Sequence, residues 1–218
     1  MCHVIAMKFE ELLFIVGDEP IFRTSVLLTG QSSANGIRRQ LDRWVKSGKV
    51  VMLRRGVYAI AAPYATKYPH LFRISNELRR ASYISLESAL AYYGMIPEYT
   101  PVAMSVTTGR TETLANTMGR FVFRHLKKEM FFGFKETEII PGQIALIATP
   151  EKALVDLLYL TPNSNQINYL NELRITLMPQ LNMEHLDKVV EQSGSDKVRR
   201  AVSKLKYLSK TESDYVTL

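Results

Sequence analysis

The chain is short of several things, and each shortage removes a class of function. Cys2 is its only cysteine, so no internal disulfide can form, as expected of a protein kept in a reducing cytoplasm. No run approaches the ~20 apolar residues that cross a bilayer. The amino terminus makes a poor export signal, since Lys8, Glu10 and Glu11 break its apolar positions. The four histidines, His3, His70, His125 and His185, are scattered with no pair at ligand spacing, which argues against a zinc site. No Asp or Glu has a lysine two positions later, so the metal-binding pattern of restriction-type nucleases is missing. Glu136 and Glu138 share one face of a strand, but alone they read as a solvated strand edge. No catalytic residue, metal or cofactor is expected, and the chain reads as a non-enzyme.

What is present is globular. The 218 residues are 46% hydrophobic and 22% charged, too long for one small domain and too short for two large ones. A net charge of +7 suggests a polyanionic partner. That charge is local. Residues 31–60, QSSANGIRRQLDRWVKSGKVVMLRRGVYAI, carry seven cations against Asp42 alone, a net of +6, whereas 76–160 is balanced and 161–218 is +1.

The same stretch has a helix-then-hairpin pattern. Ser32 or Ser33 is a candidate N-cap. Ala34, Ile37, Leu41, Trp44 and Val45 form an apolar stripe at helical spacing, which leaves Asn35, Arg39, Asp42, Arg43 and Lys46 on the opposite side and Arg38 on the flank. Ser47-Gly48 stops the helix. Two β-rich runs joined by Arg54-Arg55-Gly56 then make a hairpin. Before it, residues 7–16 predict a first helix and 21–28 a short second one, with Thr29-Gly30-Gln31 as the turn. Helix, helix, helix and hairpin is the order of a winged helix-turn-helix, in which one helix enters the major groove and the hairpin touches the backbone. Double-stranded DNA is therefore the expected partner. Asn35, Arg39 and Arg43 are assigned to base edges, because Asn pairs with adenine and Arg with guanine. Ser32, Ser33, Lys46, Lys49, Arg54 and Arg55 are assigned to phosphates. Arg38 belongs to the same surface, Asp42 is expected to pair with Arg38 or Lys46, and Tyr58 is expected to pack in the core.

A proline-containing connection, 61–69, ends this module, giving domains at 1–64 and 65–218. Helices are predicted over 71–80, 85–93 and 151–160, and strands over 102–107, 121–126, 134–140 and 144–148. From about 163 the chain is helical. The fold class is thus α+β: a winged helix-turn-helix followed by a mixed α+β domain that ends in helices. Arg110, Arg120, Arg124, Lys127 and Lys128 form a second basic set around the strands, whose default reading is a charged strand face.

Three segments, RRQLDRWVKSGKVVMLRRGVYAI, YISLESALAYYGMIPE (83–98) and ATPEKALVDLLYL (148–160), together resemble the AbiEi family, the antitoxins and regulators of bacterial abortive-infection (type IV) toxin–antitoxin systems. KVRRAVSKLKYL (197–208) resembles the family's terminal helix loosely. The resemblance implies repression of the operon's own promoter and a C-terminal domain that counters a nucleotidyltransferase-like toxin, with or without a stable complex. It places DNA contacts on Arg39, Arg43, Arg54 and Arg55. The alternative is a winged-helix regulator whose C-terminal domain senses a small molecule or protein, with no toxin.

Overall fold

The computed structural model describes residues 7–28, 34–97, 102–173 and 181–216, with side chains as far as 208. The fold is mixed α+β and ends in helices, as the sequence predicts. Helix α1 (Phe9–Val16) buries Phe9, Leu12 and Val16 at helical spacing. The predicted second helix is different: strand β1 (Phe22–Arg23) leads into a single 3-10 helix over Thr24–Leu28. The residues there are β-branched and few, and β1 gains ladder bonds from a strand further along the chain. Helix α2 (Ala34–Lys46) buries Ile37, Leu41 and Trp44, and Gly48, with φ +70°, ends it. Strands β2 (Val50–Arg54) and β3 (Val57–Ile60) form the hairpin, and the small sheet has the order β1-β3-β2.

All four residues of β3 are buried, because both faces of the small sheet are covered. Phe22, Val50, Tyr58 and Ile60 pack with α1 and α2 around Leu12, Leu41 and Trp44. Leu53, Val57 and Ala59 point the other way and join Ile74 and Leu78 in the main core. The elements before residue 64 therefore have an apolar cluster of their own, while the far face of their sheet joins the core of the rest.

Beyond the connection lie α3 (Leu71–Leu78), β4 (Ser82–Ile84) and α4 (Leu86–Tyr92), then strands β5 (Val102–Thr107), β6 (Glu112–Asn116), β7 (Gly119–His125), β8 (Phe134–Ile140) and β9 (Gln143–Ala148). The sheet order is β6-β7-β5-β4-β9-β8, with β5/β7 and β4/β9 parallel and the other pairs antiparallel. Helix α5 (Pro150–Leu160) packs on α4, and α6 (Ile167–Glu172), α7 (Met183–Ser193) and α8 (Asp196–Val216) complete the helical end. Two strands, β4 and β6, go unpredicted. Each is short, and β6 (ETLAN) lacks β-branched alternation, so the ladder to β7 rather than propensity makes it a strand.

The connection is tied down by His70. Its backbone N–H donates to Gln143 Oε1 at 2.8 Å, and its ring Nδ1 accepts from Phe72 N at 3.2 Å as the N-cap of α3. Burial lowers the His70 pKa below its ordinary 6.5. The unfolded chain then takes up the proton first, so stability is whole above about pH 6.5 and is lost as the pH falls from there through the folded value. Denaturant midpoints measured between about pH 8 and about pH 5 should fall with acidification. His70→Asn keeps a capping acceptor without the titration, and should flatten that slope.

Candidate nucleic-acid interface

The solvent side of α2 follows from its buried side. With Ile37, Leu41 and Trp44 fixed inward, Asn35, Arg38, Arg39, Asp42, Arg43 and Lys46 are all exposed. Arg39 Nε lies 3.4 Å from the Asn35 carbonyl, a bond within the helix that leaves most of its guanidinium free. Among the described residues, none of these four cations makes an ion pair, and the expected pairing of Asp42 with Arg38 or Lys46 does not form. Ser32 and Ser33 lie outside the described residues. Tyr58 is buried and stacks on Phe22 at 5.8 Å, as expected of a core side chain.

Arg55, at the tip of the β2–β3 turn, is exposed and faces α2 across a groove of about 480 Å³. Its lining includes Arg38 and Asp42 from α2, Met52 and Arg55 from the hairpin, and Thr24 and Ser25 from the 3-10 helix. Arg38 and Arg55 thus share this groove, and Arg39, Arg43 and Lys46 stand exposed further round α2.

Two expected phosphate contacts are engaged elsewhere. Lys49 Nζ sits over the Phe9 ring at 4.8 Å and near Tyr64 at 5.9 Å, on the α1 side of the module. Arg54 Nη1 donates to the Leu78 carbonyl at 2.9 Å, at the end of α3. A register shift between Met52 and Arg54 sets Arg54 opposite Val57, on the side of the sheet that packs against α3. Sequence spacing puts both arginines at the hairpin tip, and both are exposed, but only the fold turns Arg54 to the end of α3 and Arg55 to the groove beside α2. Arg23 reinforces the latch, donating to Glu77 Oε2 at 2.7 Å and to the Glu77 carbonyl at 2.7 Å. Arg54→Ala should therefore lower stability by about 1 kcal/mol and leave affinity for DNA nearly unchanged, as thermal melts and binding titrations on one preparation would show.

A second polar constellation, not among the expected site residues, lies in the main core. In α5, Glu151 through Leu158 are all buried, charged residues included. Lys152 and Asp156, one turn apart and fully buried, form an ion pair. Asp156 Oδ2 accepts from Tyr83 Oη at 2.9 Å and from Ser85 Oγ at 2.8 Å. Lys152 Nζ also lies over the Phe132 ring at 4.9 Å. Burial pushes the Asp156 carboxyl up and the Lys152 amine down, each opposed by the attraction between them. The Tyr83 phenol is held well above its usual range, first by burial and then by the adjacent carboxylate. Ser85 is the N-cap residue of α4, but its hydroxyl goes to Asp156 and makes no cap bond. The signal in the sequence was a Lys and an Asp four apart in an otherwise apolar helix. Enclosed on all sides, the cluster binds β4 to α5 and offers no route to a substrate. Gly133, with φ +72°, packs against it: a Cβ there would meet Lys152 Cγ at 3.0 Å. Gly133→Ala should cost more than 1 kcal/mol in chemical denaturation, from the left-handed backbone and the crowding together.

No protein-family model matches this chain, and no curated protein matches it.

Glu136 and Glu138 are both exposed on β8, and Glu138 Oε1 accepts from Gly142 N at 2.8 Å, which closes the β8–β9 turn. Among the described residues, no three His, Cys, Asp or Glu side chains are placed to hold a metal ion together. Nor, among them, is any helix long and apolar enough to cross a membrane.

Proposed function

We propose that the first sixty residues are a winged helix-turn-helix and that the protein is a DNA-binding transcriptional regulator acting on its own promoter. The observation that carries this reading is the groove between α2 and the hairpin, lined by Arg38 and Arg55, together with the exposed Arg39, Arg43 and Lys46 on the same helix, whose only acid is Asp42. Unpaired cations that share a groove-sized surface repel one another, and a polyanion relieves that repulsion by displacing counterions. In this reading α2 lies in the major groove, Asn35, Arg39 and Arg43 meet base edges, and Lys46 and Arg55 hold phosphates.

Fluorescence anisotropy with the promoter of the protein's own gene against a random duplex tests the proposal. Tighter binding to the promoter is expected, with affinity falling steeply as salt rises. Arg55→Ala should weaken both duplexes alike and reduce the salt slope by about one. Binding to neither duplex at low salt rejects the reading.

The resemblance to AbiEi proteins extends the proposal to antitoxin activity against a nucleotidyltransferase-like toxin. A toxin gene beside this one, and rescue of growth on co-expression, would support it. A regulator with a sensing C-terminal domain predicts neither.

A further inference from the structure

The second basic set is divided by the fold. Arg124 Nη2 donates to the Leu160 carbonyl at 3.2 Å and so caps α5, and Arg120 lies toward the far end of β7, opposite Ala115. Arg110, Lys127 and Lys128 instead gather at one end of the large sheet, where they are joined by Arg80.

Strand pairing fixes this end. Thr107, the last residue of β5, pairs with Ser82 on one side and His125 on the other. Its hydroxyl donates to the Ala81 carbonyl at 2.7 Å, and its carbonyl accepts from Leu126 N at 2.8 Å. Arg80 precedes Ala81, Arg110 follows Thr107 by three residues, and Lys127 follows Leu126. All three backbones therefore lie within about 11 Å of Thr107, with Lys128 one residue on.

All four side chains are exposed, and among the described residues none makes an ion pair or a side-chain hydrogen bond. The nearby acids are otherwise engaged. Glu112 pairs with Arg79, and Glu77 with Arg23 and Arg73. Glu129 is exposed next to Lys128.

The DNA-binding module is latched to this same end. Arg54 bonds the Leu78 carbonyl, two residues before Arg80, on the face of the small sheet turned away from α2. The order across the molecule is thus α2, groove, hairpin, rim. The geometry points to a duplex contact that continues past the hairpin onto this rim, where Arg80 and Arg110, followed by Lys127 and Lys128, hold the phosphate backbone flanking the operator. B-form DNA carries one charge per about 1.7 Å of axis, so a rim of this width spans several phosphates. The inference rests on the DNA-binding reading and adds a role in the footprint for the C-terminal domain.

The test uses full-length protein and nested duplexes that shorten the promoter site from either flank, one base pair at a time. Wild type should lose affinity in two steps, one when flanking phosphates go and one when the central site is cut. R80A/R110A should lack the first step, bind the longest duplex about tenfold more weakly than wild type, and show a salt slope smaller by about two. It should match wild type on the duplex already trimmed of its flank. K127A/K128A should show the same pattern in weaker form. Both pairs are exposed, and coincident thermal melts verify folding. If R80A/R110A binds every duplex as wild type does, the rim is no part of the footprint, while the regulator reading stands. The same holds if the variant loses only binding to single-stranded RNA. If wild type binds no duplex, the regulator reading itself falls.

Discussion

Alanine at both Arg39 and Arg43 is expected to bring affinity for the promoter site down to that for random DNA. The two residues stand one turn apart on the exposed face of α2, and among the described residues neither is held by an ion pair. An arginine that grips a base edge contributes about 1–3 kcal/mol of discrimination, so losing two should cost on the order of 2–6 kcal/mol on the specific duplex. Random DNA meets the same helix through phosphates, where the remaining cations still act, and its affinity should fall far less. Anisotropy titrations of the double variant on both duplexes measure the difference. Stability should not change, because the side chains bury nothing in the core. Equal losses on the two duplexes would mean that α2 reads charge and not sequence.

The second large effect is on folding. Asp156→Ala leaves the Lys152 ammonium fully buried with no counterion. Removing one member of a buried pair costs about 3–5 kcal/mol, a large share of the ~5–15 kcal/mol by which a domain is stable. Tyr83 and Ser85 lose their acceptor in the same step, which adds to the cost. Lys152→Met should be milder. Asp156 keeps both hydroxyl donors, and its raised pKa eases the uptake of a proton. Urea unfolding of the two variants gives the order directly, Asp156→Ala far below Lys152→Met below wild type. A reversed order would mean that the lysine, with its aromatic neighbours, is the member the core depends on. Because this cluster sits in the large domain, the double arginine variant and the Asp156 variant should be distinguishable: the first loses DNA with its melt intact, and the second loses its melt.

Much of the chain could be read in advance. The stripe Ile37, Leu41 and Trp44, the Gly48 stop and the apolar runs on either side of Gly56 foretold α2 and the hairpin, because a 3.6-residue or two-residue period shows directly in local sequence. Strands β5, β8 and β9 and helix α5 were legible for the same reason. The stretch 21–28 was not, since a two-residue strand and one 3-10 turn leave no period to count. Strand β6 was hidden as well, its conformation set by β7 alongside it.

What the sequence determined by itself is where the charge lies: a surplus of +6 within residues 31–60, a property of composition that no folding can alter. What only the tertiary structure decided is which of those cations are free. Lys49 turned to aromatic rings and Arg54 to the Leu78 carbonyl, while Arg55 was left facing the groove. Partners of this kind come from residues far along the chain, brought near by sheet register and core packing. The same packing buried Lys152 and Asp156 together, because a charge is tolerated inside a protein only where the fold delivers its counterion.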